Sequence, residues 1–199
     1  VIVVFPIIIF FNNKYMGAFT LDSFEIIVSE LLEEDGYWVR CLEKINLTKE
    51  EKRKLGKPSM PRPEIDIIAL SLSQNTIYLL EVKSFLDSNG VNFEDVVAKG
   101  DIFEGRYKLL TSEVYRNSIR QRLQLDWISK GIINSETIIS FGLVAGNVYK
   151  KREKELEAYF QSKDWFFWGP SQIKERILNL SNKGYENNIM VITSKILSR

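Results

Sequence analysis

Apolar side chains at Phe24, Ile27, Val28, Leu31 and Leu32 recur at three- and four-residue spacing, predicting an amphipathic helix over 21–35 that Asp22 caps and Gly36 ends. Tyr37 to Leu42 reads as a strand. Glu64 to Leu72 and Ile77 to Val82 are denser apolar runs joined by Ser73, Gln74, Asn75 and Thr76, which predicts a buried strand pair closed by a polar hairpin turn. The helical period returns at Ser112 to Ser129 and is followed by a strand at Thr137 to Val144. Beyond it, Lys150 to Gln161 reads as helix, Trp165 to Trp168 as strand, Ser171 to Asn182 as helix after Pro170, and Ile189 to Thr193 as strand. Lys49 to Pro63 is a basic, proline-bearing connection long enough to be mobile, and Ser84 to Gly105 is loop-rich. The order of elements predicts an α/β fold, a central mixed β-sheet flanked by helices with C-terminal α/β additions. The expected divisions are an apolar extension or accessory strand at 1–20, a core at 21–146, and helix and strand additions at 147–199 packed on the same domain.

Val1 to Phe11 is nearly all apolar but is interrupted by Pro6 and falls short of the roughly 20 residues that span a bilayer. No basic region precedes it and no small-residue cleavage site follows, so the expectation is neither a membrane helix nor a signal peptide. Met16 is an alternative natural start. The composition narrows the chemistry more than the class. With 27 Lys and Arg against 26 Asp and Glu, no overall field marks a polyanionic partner, so any nucleic-acid surface must come from local clustering. One cysteine, Cys41, excludes an intramolecular disulfide and a thiolate zinc site, and fits a reducing, cytoplasmic setting. The 199 residues include no histidine, which removes His-based triads, zinc hydrolase signatures and His general bases. Any metal chemistry must then use carboxylates and hard cations such as magnesium, manganese or calcium.

Side chains two apart on a strand share a face, so Glu64 and Asp66 point one way, as do Glu81 and Lys83 on the next strand. The flanking Ile65, Ile67, Ile68, Leu79, Leu80 and Val82 put these charges at the end of an apolar sheet, where an unpaired charge is costly and a cation is the natural partner. The stretch Pro63-Glu64-Ile65-Asp66-Ile67-Ile68-Ala69-Leu70, followed by Tyr78-Leu79-Leu80-Glu81-Val82-Lys83-Ser84, resembles the PD-(D/E)XK nuclease superfamily. That family has proline directly before the aspartate, whereas here Glu64 and Ile65 intervene. Sequence therefore leaves Asp66 or Glu64 as the first acid, with Asp66 favoured by the apolar run after it. Glu25, eleven residues before Gly36, matches the helix acid of archaeal Holliday-junction resolvases, with Glu30 as second candidate.

The order Glu81-Val82-Lys83, Gly105-Arg106-Tyr107-Lys108 and Asn117-Ser118-Ile119-Arg120-Gln121 is similar to the NERD branch of the superfamily, except that Ser118 stands where that branch has proline. The resemblances cover roughly Asp22 to Val144. They imply a restriction-endonuclease-like core and a magnesium-dependent deoxyribonuclease in which manganese can substitute. Asp66, Glu81, Val82 and Glu25 are the implied metal ligands, and Lys83 and Gln121 the implied active-site companions. DNA is the implied substrate and a homodimer the common assembly. The alternative is a nucleic-acid-binding module that keeps such a fold without cutting.

Isolated alternating charges on a strand are usually a solvated face, and it is the combination of Asp66, the two apolar strands and Glu25 that favours a site. Lys54, Lys57 and Arg62 precede the Asp66 strand and are expected to reach phosphates beside it, a contact that gives affinity without sequence information. Arg116 and Arg120, one helical turn apart, are expected on a polar face that also carries Gln121 and Gln124 and lines a nucleic-acid groove, a pattern that plain solvent exposure explains nearly as well. The aromatic run Trp165 to Trp168 is expected in a core or an oligomer interface rather than as a base-stacking platform.

Overall fold

The computed structural model describes residues 22–98 and 105–199. The extension expected at 1–20 lies outside the described residues. Helix α1 (Ser23–Glu34) opens with a capping box in which Asp22 accepts from the Phe24 N–H and Glu25 accepts from the Asp22 N–H. It buries Phe24, Val28, Leu31 and Leu32, and Gly36 ends it at a positive φ of 86° that a side chain would strain. Strand β1 (Trp38–Lys44) follows, then helix α2 (Lys49–Lys54) and the hairpin of β2 (Glu64–Ser71) and β3 (Thr76–Lys83). Short helices α3 (Phe93–Val96) and α4 (Lys108–Thr111) lead into the long α5 (Glu113–Ser129) and strand β4 (Ile138–Ala145). Helix α6 (Glu153–Ser162), strand β5 (Phe166–Trp168), α7 (Pro170–Asn179) and α8 (Ile189–Leu197) complete the chain.

The five strands lie in the order β1-β2-β3-β4-β5. The first three pair antiparallel, as hairpin connections allow, while β3, β4 and β5 pair parallel through crossovers that contain α5 and α6. Alternation along each strand then sorts the layers. Ile68, Ile77, Leu79, Ile139 and Phe141 meet Tyr115, Ile119, Leu123 and Trp127 of α5, and farther along the same face Leu143 and Ala145 meet Leu156 and Phe160 of α6. The opposite side chains Ile67, Ala69, Leu80, Val82 and Val144 pack on α1 together with Ile173 of α7 and Val191 of α8. The result is a mixed sheet between two helical layers, the α/β architecture the periodicity predicts, and one compatible with a restriction-endonuclease-like core. Gly142 permits the close approach of β5, since a Cβ there would stand 2.6 Å from Phe166.

The additions at 147–199 join this sheet and core directly. Through β5 and the residue entering it the aromatic run divides by alternation: Phe167 stacks on Phe160 and Trp165 meets Phe141 edge-on, while Phe166 packs beside Tyr37 and Tyr78 on the other side. This is the core role expected of it. Two expectations are corrected. Ile189 to Thr193 is the start of α8, not a strand: Asn188 accepts from the Met190 and Val191 N–H groups, starting a helix that buries only Val191 and Ser194. The connection at 49–63 is tethered, because Thr48 and Glu51 form a capping box for α2 and Glu51 takes a two-pronged contact from Arg122 of α5 at 2.7 and 3.1 Å. Among the described residues no helix is long and apolar enough to cross a membrane.

Candidate active site

Main-chain pairing between β2 and β3 runs from Ser71 opposite Thr76 to Ile67 opposite Leu80. At the next position the side chain of Asp66 continues the pattern: its Oδ2 accepts the Val82 N–H at 2.8 Å, which fixes the carboxylate against the neighbouring strand. Asp66 and Glu81 lie on the strand face shared with Ile68 and Leu79, and Lys83 on the same alternation stands between the two acids. Its Nζ is 2.5 Å from Glu81 Oε1 and 3.3 Å from Asp66 Oδ2. The three side chains are between 17% and 22% exposed, so they are partly desolvated yet open to a cleft.

The charges respond to this confinement. Burial pushes the Glu81 carboxyl above its ordinary value, Lys83 opposes the rise, and the negative charge of Asp66 adds to it. For Lys83, burial favours the neutral amine, but Glu81 and Asp66 outweigh it and keep the group an ammonium with a raised pKa. Tyr107 is pushed up to about 12, chiefly by burial, beside the same charges.

An open cleft of about 650 Å³ lies over Asp66 and Glu81. One wall is the segment after α2, with Lys57, Met60, Pro61, Arg62 and Pro63. Lys52 Nζ donates to the Met60 carbonyl at 2.8 Å and the Ile45 N–H to the Pro63 carbonyl at 2.8 Å, holding the wall in shape. The other wall is Gly105, Arg106 and Lys108.

Asp66, Glu81 and Lys83 are thus brought together as the sequence reading expects. Glu64 turns to Lys44 at 3.7 Å and lines the cleft edge, so the geometry favours Asp66 as the acid beside Glu81. Glu25 stands near enough for the Asp66 charge to add to burial in raising its pKa, but α1 packs on the opposite face of the sheet and Glu25 serves the capping box there. Lys57 and Arg62 line the cleft, whereas Lys54 is an exposed residue of α2 outside the lining. Gln121 is exposed on α5 and is also outside it.

The expectation of a polar groove from Arg116 and Arg120 is corrected. The Arg116 guanidinium lies 4.8 Å from the centre of the Trp165 ring and donates to the Leu110 carbonyl, and Arg120 lies 5.0 Å from the Phe141 ring. Their stems cover the core while their charges rest on aromatic faces. Arg106 and Lys108 are the cleft residues that reasoning from spacing missed. The sequence carried a signal for them in the Gly105-Arg106-Tyr107-Lys108 segment, where two cations flank an aromatic that is 8% exposed.

Comparisons with known proteins leave the chemistry to this geometry. No family model and no curated protein matches the chain. Among solved structures it is similar to the crystal structure of a protein of unknown function, AF1548, at 12% identity and a TM-score of 0.34, over 86% of this chain and 64% of that one. The chain thus spans less than two thirds of the length of that structure.

Magnesium, the ion the resemblance implies, takes oxygen ligands and retains several waters. Asp66 Oδ1 and Glu81 Oε2 accept no hydrogen bond among the described residues, because the Val82 N–H and Lys83 use the other oxygens. The Val82 side chain is buried and apolar, so that residue can offer only its main-chain carbonyl. No three His, Cys, Asp or Glu side chains gather into a metal-binding group among the described residues. The donors present fit a hard cation held by two carboxylates with water filling the remaining positions.

Proposed function

We propose that this chain is a metal-dependent nuclease that hydrolyses DNA phosphodiester bonds at the floor of the cleft. The observation that carries the reading is the meeting of Asp66, Glu81 and Lys83 from adjacent strands, with Asp66 anchored by the Val82 N–H. Phosphodiester hydrolysis needs an oriented water and a stabilised negative charge on the phosphoryl and leaving oxygens. Asp66 and Glu81, with the Val82 carbonyl, would hold magnesium or manganese, which when bound polarises a phosphoryl oxygen and acidifies a water. Lys83 has three N–H donors; two face Glu81 and Asp66, and the third is left for a phosphoryl oxygen or the attacking water. Glu25 contributes charge beside this group rather than a ligand. Lys57 and Arg62 lie where they can contact flanking phosphates.

The test is incubation of the purified chain with supercoiled, linear, single-stranded and four-way-junction DNA in magnesium, manganese or chelator, alongside Asp66→Ala. Metal-dependent products absent from the variant support the reading; no products from any substrate overturn it. A homodimer, which would set two cuts apart by symmetry, belongs to the same reading and is measured by sedimentation equilibrium. One observation favours a second reading, a nucleic-acid-binding module that does not cut: Lys83 already contacts both carboxylates, so the group holds a countercharge without a metal. DNA binding that persists in chelator, with no products under any metal, distinguishes that module.

A further inference from the structure

The cleft separates its charges. Carboxylates occupy the floor, and cations stand on both walls: Lys57 and Arg62 on one, Arg106 and Lys108 on the other. Burial of Tyr107 between Arg106 and Lys108 anchors the second wall, and Leu109 and Leu110 are buried immediately after it. The two cations are therefore presented by a fixed stretch of main chain. The Lys108 Nζ lies 5.1 Å from the centre of the Tyr115 ring, and its positive charge acts on Glu81 across the floor. The Arg106 guanidinium lies 5.7 Å from the Phe85 ring.

Elsewhere the half-buried cations Arg122, Arg152, Arg176 and Lys183 close ion pairs with carboxylates. Among the described residues neither Arg106 nor Lys108 does so within 4 Å. Two cations held by aromatic rings instead of carboxylates, and turned into a cleft, leave their charge available to an anion that enters it.

We infer that Lys108, supported by Arg106, is a phosphate-contact residue forming the second wall of the nucleic-acid site, so that a bound strand crosses the acidic floor with phosphates held on both sides. The inference rests on the cleft being the nucleic-acid site of the proposed function, but not on cleavage. It moves the second contact surface from the face of α5, where Arg116 and Arg120 are engaged with aromatic rings, to the turn that enters α4 and its first residue. The contact is a point-charge interaction and carries no sequence information.

The experiment measures binding of the full chain, in chelator, to a short labelled DNA strand and to its duplex across a range of salt concentrations. Each phosphate contact contributes about 0.9 to the slope of log affinity against log salt on duplex and about 0.7 on single strands. Lys108→Ala is expected to lose about one such contact, and Lys108→Arg to retain it. Lys108→Met keeps the aliphatic stem against Tyr115 and is expected to show the same loss as alanine. Lys150→Ala, at an exposed lysine outside the cleft lining, is expected to leave the slope unchanged. An unchanged slope in Lys108→Ala and Lys108→Met, an equal loss in Lys150→Ala, or no DNA binding by the parent chain overturns the inference. A lost contact in a chain that cleaves nothing in magnesium sustains the phosphate site and overturns the nuclease; cleavage with an unchanged slope does the reverse.

Discussion

Of the trios of one cation and two carboxylates among the described residues, two behave differently. In one, Lys83 joins Asp66 and Glu81; in the other, Arg152 joins Glu94 and Glu155. The second has the more favourable hydrogen-bonding hardware, since Arg152 reaches both oxygens of Glu155 at 2.8 Å and lies 4.4 Å from the Phe93 ring. Yet Glu94 and Glu155 are 61% and 53% exposed, and ion pairs in such water-rich surroundings contribute little. The first trio stands on neighbouring strands, is about one-fifth exposed, and has one carboxylate fixed by a main-chain N–H. Composition alone does not make a reactive group; partial removal from water and a backbone that fixes the separation do.

The sharpest break in this comparison is catalytic. Asp66→Ala or Lys83→Ala is expected to abolish metal-dependent cleavage, a loss on the order of 10² to 10³ or more, as when a charge-stabilising donor is removed. Arg152→Ala is expected to leave cleavage unchanged. Gel assays of product formation, with circular dichroism to verify folding, check all three. Wild-type cleavage by either site variant would remove that residue from the proposed machinery.

The next effect is on stability. Lys83→Met leaves Asp66 and Glu81 facing each other without their shared cation and is expected to cost about 2–3 kcal/mol in metal-free urea unfolding, somewhat below the loss for a fully buried pair because the site is open on one side. Arg152→Met is expected to move the urea midpoint much less. Equal shifts would erase the distinction drawn between the trios.

Much of this was legible in the sequence, and the failures have physical causes. The β2 and β3 runs and the three- and four-residue spacing of α1 encode their burial directly, so Asp66, Glu81 and Lys83 could be assembled from periodicity. Ile189 to Thr193 is rich in β-branched residues, but one cap at Asn188 and packing beside α7 decide for helix. Arg116 and Arg120 read as a polar face because spacing along α5 says nothing of Phe141 and Trp165, which come from β4 and the chain entering β5. Arg106 and Lys108 become site residues only when a long loop-rich connection returns to the Asp66 strand. Helical period could not reveal that encounter.

A smaller test separates cations that serve the core from those that serve the cleft. The Arg120 Nε is buried without a hydrogen-bond partner among the described residues, so Arg120→Met is expected to change stability by less than about 1 kcal/mol, since it removes an unsatisfied donor while keeping apolar bulk. Arg116→Met surrenders the bond to the Leu110 carbonyl and is expected to cost about 1 kcal/mol more. Urea unfolding measures both, and neither change should alter the salt dependence of DNA binding.

The smallest effect concerns pH. Burial opposes ionisation of Glu51, but hydrogen bonds from Arg122 and Thr48 outweigh it and hold its carboxyl below the ordinary value. A depressed folded-state pKa gives stability that is present above the unfolded pKa and disappears as pH falls through the folded one. Glu51→Gln is therefore expected to flatten that part of the acid limb, as read by thermal melting across mildly to strongly acidic buffers. An unchanged limb would place the tether between α2 and α5 outside the acid response.

Because Asp66 occupies the Val82 N–H, the condition of the site is written into a single main-chain proton. While the carboxylate holds that N–H, exchange of its hydrogen with solvent requires the strand end to open; when the carboxylate is removed, the same amide lies at an unzipped margin of the sheet. Val82 is thus a resident reporter, able to register the state of Asp66 in a protein given neither substrate nor metal.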